Sequence, residues 1–260
     1  MDNWVNRMDL EDEQLLRYSR QIMLPQVDVA GQKKLLDSTV LIIGMGGLGS
    51  PIAMYLAAAG VGHLILADFD QVELSNLQRQ IIHSTDDIGK DKVDSAYETI
   101  TRINPEITVT RFKQPLNDQN LDDLLPQVDV VIDGCDNFTT RFAVNRACVN
   151  HRKPLVSGAA IRFEGQVSVF MNNGDCPCYQ CLYKDEGENE EMQTCSENGV
   201  LAPLVGMIGS IQAIETIKVL TGIGETLAGK LMLIDALVME TRVIKLPRDS
   251  DCPVCNSVTR

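Results

Sequence analysis

Apolar runs of five or six residues alternate with amphipathic stretches through most of the chain. Such runs are typical of strands buried on both faces of a parallel sheet, and the stretches between them are typical of the covering helices. The predicted strands span 39–43, 63–68, 107–112, 128–133 and 155–160. The predicted helices span 9–24, a short segment that ends near Asp37, 51–59, 90–103, 121–125 and 139–150. This order predicts an α/β fold with a doubly wound, Rossmann-like and mostly parallel sheet.

The pattern changes after Gly165. Residues 166–171, 230–236 and 240–246 are predicted as antiparallel strands that extend the sheet, and 205–220 as a long helix. The sequence has no convincing internal repeat. We therefore expect one continuous domain whose C-terminal third is less regular than the rest.

Charge and cysteine content narrow the class of protein. The 260 residues include 23 Lys and Arg against 36 Asp and Glu, a net charge of −13. Because such a chain repels polyanions, we expect neither nucleic acid nor a membrane as a partner. Residues 38–67 carry no Asp, Glu, Lys or Arg, but Pro51 and several glycines interrupt them, so they do not predict a membrane helix. The N-terminus lacks the apolar core of a secretory signal, which favours a cytoplasmic protein with reduced thiols.

A glycine-rich loop, Gly44–Gly49, separates the first predicted strand from the helix that follows it. Gly44 allows a tight turn, while Gly46 and Gly47 let backbone N–H groups approach a phosphate at the positive end of the helix. Asp68 ends the next strand, where an acid can bind ribose hydroxyls. The motif predicts a nucleotide site, but NAD, FAD and ATP all bind such loops.

Two absences weigh against an NAD-dependent oxidoreductase. No Tyr is followed four residues later by Lys, and the rest of the chain is too short for a separate substrate domain. The loop also lacks the Lys-Ser/Thr pair of a P-loop. Cations for a polyphosphate must therefore come from elsewhere in the chain.

Candidate cations and a candidate metal ligand follow the strand-ending acid. Arg79, within the segment 75–80, and Lys92 are placed to stabilise charge on a phosphate leaving group. Asp136, followed by Asn137, lies after the fourth predicted strand, so it shares the same sheet edge and can hold magnesium. Together these residues favour nucleotidyl transfer over hydride transfer.

The cysteines supply the second strong signal. Cys178 and Cys181 form one CxxC pair and Cys252 and Cys255 a second, which together offer four thiolates for a tetrahedral structural zinc site. A zinc ion there would tie the C-terminal tail to the middle of the chain. Cys176, two residues before the first pair, is an extra thiol that could be mistaken for a ligand.

The remaining cysteines and the histidines carry weaker signals. Cys195 follows an acidic loop, 185–191. An exposed thiol can act as a nucleophile, whereas neighbouring acids raise its pKa and weaken that role, so both interpretations stay open. Cys135 and Cys148 have the pattern of ordinary core residues, and the three histidines show no metal spacing.

Taken together, these motifs resemble the MoeB/ThiF/HesA adenylyltransferases, bacterial relatives of the ubiquitin-activating enzymes. The resemblance runs from about residue 10 to residue 256. It rests on Arg17-Tyr18-Ser19-Arg20-Gln21, Gly44–Gly49, Asp68, Ser75–Gln80, Lys92, Asp136-Asn137 and the paired CxxC. Residues 155–165 resemble the MoeB branch more than the ThiF branch, and Cys135 replaces the Thr or Ser usual before the Asp-Asn pair.

The resemblance implies an activity. ATP and magnesium would bind at the sheet edge, and AMP would be joined to the C-terminal glycine of a small ubiquitin-like sulfur carrier with a Gly-Gly tail, the small subunit of molybdopterin synthase. Pyrophosphate would leave, and a separate sulfur donor would later displace AMP. The alternatives are activation of the thiamine-pathway carrier or of both carriers, an NAD-dependent oxidoreductase, and a scaffold without turnover.

The resemblance also assigns residues and regions. The nucleotide site would comprise Gly44, Gly46, Gly47, Asp68, Ser75, Asn76, Gln78, Arg79, Lys92, Asp136 and Asn137. The catalytic residues would be Arg79, Lys92 and Asp136, with Arg20 reaching into the partner's site of a homodimer and Cys195 as the weakest candidate. The single domain, 1–260, would divide into a helical arm (9–37), a nucleotide-binding half (38–160) and a carrier-binding, zinc-containing part (161–260).

Overall fold

The strands of the protein form one mixed sheet in the computed structural model, which describes residues 10–174, 176–184 and 198–256. The sheet order is β3-β2-β1-β4-β5-β6-β7-β8. These strands are Thr39–Ile43 (β1), His63–Ala67 (β2), Thr108–Phe112 (β3), Val130–Asp133 (β4), Leu155–Ile161 (β5), Glu164–Phe170 (β6), Lys230–Asp235 (β7) and Glu240–Lys245 (β8). The strands from β3 to β5 pair in parallel and those from β5 to β8 antiparallel, so the predicted fold class is confirmed.

Helices cover both faces of this sheet. They are Asp12–Arg17 (α1), Ser19–Ile22 (α2), Asp28–Leu36 (α3), Gly49–Ala59 (α4), Lys92–Ile103 (α5), Asp118–Leu124 (α6), Phe138–Asn150 (α7), Tyr179–Leu182 (α8) and Ala202–Thr221 (α9). The prediction of one helix over 9–24 is wrong, because the helix breaks at Tyr18. The Tyr18 ring is buried against Gly60, and its hydroxyl accepts a hydrogen bond from Asn104 Nδ2 at 2.9 Å.

Alternate residues of β1 enter two separate cores. Val40 and Ile42 belong to the larger cluster, which α4 and α9 cover, whereas Leu41 and Ile43 belong to a second cluster that includes residues of α6 and α7. Burial on both faces explains why the strand is apolar throughout rather than alternating. Because β1 pairs in parallel with both β2 and β4, the carboxyl ends of these three strands lie at one edge of the sheet.

Helix α9 is long and apolar enough to cross a membrane by length and composition alone, and half of its apolar window is buried inside the protein. Its Gly209 lies so close to α4 that a Cβ there would come within 2.6 Å of the Leu48 carbonyl oxygen. Gln212 is fully buried and donates from Nε2 to the Asp133 carbonyl oxygen at 2.8 Å. Packing against the sheet accounts for the apolar character of this helix.

Candidate functional site

A cavity of about 640 Å³ opens at the carboxyl edge of the parallel strands. This is the edge at which ligands bind in doubly wound sheets. The predicted residues that line it are Gly44, Gly46, Gly47, Asp68, Arg79, Lys92, Asp136 and Asn137. The structure therefore brings together most of the predicted nucleotide site.

The glycine loop leads from β1 into α4. Gly44 has φ +88°, and a Cβ there would lie 2.8 Å from the Gly134 carbonyl oxygen, so the turn itself requires glycine. Gly46 differs, since its nearest neighbour would be Gln80 Nε2 at 3.5 Å. Helix α4 has no side-chain cap and no acid in its first turn, which leaves its N-terminus open to an anionic ligand.

Asp68 accepts a hydrogen bond at each carboxylate oxygen, one from the glycine loop and one from the segment after β2. Its Oδ2 accepts from the Met45 N–H at 2.7 Å, and its Oδ1 accepts from the Asp70 N–H at 2.8 Å. Burial raises the pKa of Asp68, against the lowering effect of Lys92 and of these two hydrogen bonds. Each oxygen keeps a second lone pair that a ribose hydroxyl can use.

The two predicted cations have partners within the protein. Lys92 begins α5 with its side chain only 9% exposed, and its Nζ lies 2.8 Å from Asp70 Oδ2. Arg79 Nη1 donates to the Ser75 carbonyl oxygen at 3.2 Å. Asp70 was not predicted as a site residue, although its position two residues after Asp68 placed it beside the same cavity.

Four of the predicted site residues that the structure describes, Ser75, Asn76, Gln78 and Arg20, do not line the cavity. Ser75 and Asn76 belong to a short 3-10 helix, where Asn76 Oδ1 accepts from the Glu73 N–H at 3.3 Å, and Gln78 is exposed. Arg20 is exposed on α2. Cys195 lies outside the described residues.

The turn that carries Asp136 stands on a buried ion pair. Arg141 Nη2 donates to the carbonyl oxygens of Cys135 and Gly158, at 2.6 and 2.9 Å, and its Nε lies 3.5 Å from Asp133 Oδ2. Asp136 itself is exposed at the cavity. This pair was not predicted from the sequence, although Asp133 at the end of an otherwise apolar strand was a signal for it.

Two neighbours of Asp136 have structural roles. Asn137 caps α7, since its side chain accepts from the Thr140 N–H at 2.9 Å. Cys135 was expected in the core but lines the cavity, with its Sγ 2.8 Å from Asp133 Oδ1. Burial and that carboxylate raise the pKa of the Cys135 thiol well above its usual value, so it is a poor nucleophile.

The four paired cysteines converge on one point. Their sulfurs all lie within 4.8 Å of one another, with Cys178 to Cys252 and Cys181 to Cys255 both at 3.6 Å. Four thiolates at about 2.3 Å from a zinc ion would lie about 3.8 Å apart, whereas a disulfide needs about 2.05 Å. Asn145 Nδ2 donates to Cys178 Sγ at 3.7 Å. The cluster fits a tetrahedral metal ion.

The sequence is similar to known proteins along nearly its whole length. The ThiF family profile matches residues 18–254. The chain is 49% identical over 247 residues to the molybdopterin-synthase adenylyltransferase of Escherichia coli K12, with 95% of this chain and 98% of the relative covered. It is 47% identical over 246 residues to the sulfur carrier protein ThiS adenylyltransferase of the same organism, with 95% and 97% covered.

A solved structure shows the same fold. The crystal structure of E. coli MccB with ATP matches with a TM-score of 0.80 and 26% identity, over 92% of this chain and 74% of that one. The profile match and the two relatives each extend over nearly the whole length of the sequence. The chain belongs to the ThiF family.

Proposed function

We propose that this protein joins AMP from ATP to the C-terminal glycine of a small ubiquitin-like sulfur carrier, the small subunit of molybdopterin synthase. The observation that supports this proposal most strongly is the cavity, in which the loop before α4 lies beside Lys92, Arg79 and Asp136. An open helix N-terminus and two cations at one sheet edge suit a polyphosphate. The name of the relative at 49% identity supports the carrier.

The reaction needs charge neutralisation more than proton transfer. The terminal carboxylate of the carrier is already ionised near neutral pH, so it can attack the α-phosphorus without a general base. One carboxylate oxygen forms the new P–O bond, and the bond from the α-phosphorus to the bridging oxygen breaks with its electron pair on pyrophosphate. Lys92 and Arg79 would stabilise that charge, and Asp68 would hold the ribose.

The proposal includes two metals and a second subunit. Asp136 would hold magnesium, which neutralises phosphate charge, and the four-cysteine cluster would hold a structural zinc ion. Arg20 would complete the site of the partner in a homodimer. Exposed apolar side chains on the arm and on α4 support self-association, among them Leu16, Met23 and Tyr55.

Other parts of the proposal rest on the sequence alone. A cytoplasmic location, a separate sulfur donor, the division of the single domain into three parts and the role of Cys195 remain predictions. Activation of the thiamine-pathway carrier is the second candidate, because a relative named for ThiS is 47% identical over a similar length.

Carrier-dependent pyrophosphate release from ATP tests the function and separates the two carriers. Purified protein with magnesium should release pyrophosphate with the molybdopterin-synthase small subunit and much more slowly with the thiamine-pathway carrier. A carrier lacking its last glycine is the matched control and should support no release. Release with the thiamine-pathway carrier alone would keep the reaction but assign the protein to the thiamine pathway. No release with either carrier would refute the proposed activity.

A further inference from the structure

His83 lies behind the glycine loop, is 7% exposed and does not line the cavity. Its Nε2 lies 2.9 Å from the Met45 carbonyl oxygen, within the loop, and its Nδ1 lies 2.8 Å from Ser95 Oγ, on α5. One imidazole therefore joins the loop to the first turns of the helix that begins at Lys92.

The partners determine which nitrogen of His83 carries the proton. A carbonyl oxygen only accepts, so Nε2 must carry hydrogen and donate to Met45. In the neutral ring Nδ1 is then an acceptor that lies 2.8 Å from Ser95 Oγ. The Ser95 hydroxyl has a single hydrogen, for which Nδ1 and the Asp87 carboxylate compete. Burial lowers the pKa of His83, which favours this neutral form at pH 7.

These bonds complete a circuit of contacts. The Met45 N–H donates to Asp68 at 2.7 Å, the Asp70 N–H donates to Asp68 at 2.8 Å, and the Lys92 ammonium lies 2.8 Å from Asp70. Helix α5 carries Lys92 and also Ser95, from which His83 returns to Met45. The backbone of Met45 is thus held at both of its polar groups, by Asp68 at the N–H and by His83 at the carbonyl oxygen.

We infer that His83 is a positioning residue that holds the glycine loop in register with Lys92 and so sets the affinity for ATP. The inference rests on the proposed function, since it takes the loop and Lys92 as the phosphate-binding elements. Loss of His83 would free the Met45 carbonyl and remove the link that His83 makes between the loop and α5. The loop and the ammonium would then no longer be preorganised on one phosphate chain.

Three charged groups act on the His83 imidazole, from α5, from the segment after His83 and from the end of β2. Lys92 on α5 lowers the pKa of His83, while Asp87 and Asp68, from the segments on either side, raise it. Ser95 also contacts Asp87, which is buried and bonded to the Ser84 N–H at 2.8 Å. The effect of His83 is therefore best separated from these groups by substitution.

The test compares His83→Phe, His83→Gln and the matched control His151→Gln. Phenylalanine fills the space and removes both bonds, whereas glutamine keeps a donor for the Met45 carbonyl. His151 is a half-buried histidine whose Nε2 lies 2.8 Å from Asp122 Oδ1, away from the cavity, so its substitution controls for loss of an imidazole elsewhere in the protein. The readouts are KM for ATP and kcat in carrier-dependent pyrophosphate release, together with melting temperature.

We expect His83→Phe to raise KM for ATP about tenfold, because each of the two lost hydrogen bonds has a modest net effect. The change in kcat should be much smaller, because His83 is inferred to act on ATP binding rather than on the chemical step. His83→Gln should recover most of that loss, and His151→Gln should match wild type. If His83→Phe fails to fold, Ser95→Ala removes the link from His83 to α5 together with the contact of Ser95 with Asp87, and should raise KM about threefold.

An active wild-type enzyme whose KM stays unchanged in His83→Phe, or in Ser95→Ala where that replaces it, would overturn the inference. So would a fall in melting temperature and kcat with KM unchanged, which is the signature of a purely structural residue. An inactive wild-type enzyme would refute the proposed function instead. In that case, calorimetry of ATP binding to the same variants still decides the role of His83.

Discussion

Gly44 and Gly46 lie two positions apart in the loop, yet they are glycine for different reasons. The backbone of Gly44 has φ +88° and no room for a Cβ, whereas Gly46 would meet only the end of Gln80 at 3.5 Å. The fold therefore requires the first glycine, and the second has space for a methyl group. A phosphate approaching the loop would explain why Gly46 is glycine too.

Substitution by alanine should separate these reasons. Gly44→Ala should lower the free energy of unfolding by about 1–3 kcal/mol, since it adds strain and a clash. Gly46→Ala should unfold within about 0.5 kcal/mol of wild type but bind ATP more weakly. Urea denaturation and ATP calorimetry measure the two quantities. Wild-type ATP affinity in Gly46→Ala would contradict the phosphate role of the loop.

The imidazole of His83 should make stability depend on pH. Burial lowers its pKa in the folded state, so the unfolded chain binds more protons between that lowered pKa and about 6.5. Stability should therefore fall as the pH drops below about 6.5 and should not depend on this group at higher pH. In His83→Gln, urea denaturation should show a smaller loss between pH 7 and pH 5. An identical loss in both proteins would contradict this account.

At the scale of elements, β1 and β2 were predictable because burial on both faces leaves a continuous apolar run. Strand β1 was predicted over the same residues as observed, and β2 within one residue. The break at Tyr18 was not, because it depends on packing against Gly60 and Asn104, which are distant in sequence. Periodicity alone carries no information about such contacts.

In the candidate site, too, some features were predictable from the sequence pattern and others depend on packing. Asp68 and Asp136 were predictable because each closely follows the end of a parallel strand, and those ends meet at one edge. Gln78 was assigned to the site by its motif, and it lies exposed in the turn after the 3-10 helix, not among the residues that line the cavity. The partners Asp70 and Arg141 were not predicted because the packing of the elements decides which charges pair, even where one acid stands out in the sequence.

The cysteine cluster joins two elements that the sequence separates widely, the α8 region and the C-terminal tail. Cys252→Ser should lower zinc content from about one ion per chain and lower the melting temperature, because the tail loses its attachment. Cys176→Ser is the matched control, since this thiol lies two residues from Cys178 but is not among the four converging sulfurs. Metal analysis measures the difference, and full zinc content in Cys252→Ser would contradict the assignment.

At the scale of the whole molecule, Arg20 is exposed and does not line the cavity of its own chain. If it acts in the partner's site, Arg20→Ala and Lys92→Ala should each be inactive alone. Random mixing of the two should restore up to about a quarter of wild-type activity, because half of the dimers then contain one complete site.

A matched mixture tests that explanation. Lys92→Ala mixed with Arg79→Ala should stay inactive, because both residues line the cavity of the same chain and no mixed dimer has a complete site. Pyrophosphate release before and after mixing gives the comparison. Absence of recovery in the Arg20→Ala mixture would place Arg20 outside the partner's site.

The intact mass of the carrier tests the central claim most directly. After incubation with the protein, ATP and magnesium, the molybdopterin-synthase small subunit should gain the mass of one adenylyl group. The gain should disappear when its terminal glycine is removed or when Lys92→Ala replaces the wild-type protein. An unchanged mass for this carrier and for the thiamine-pathway carrier, with a wild-type protein that binds ATP, would contradict adenylylation as its function.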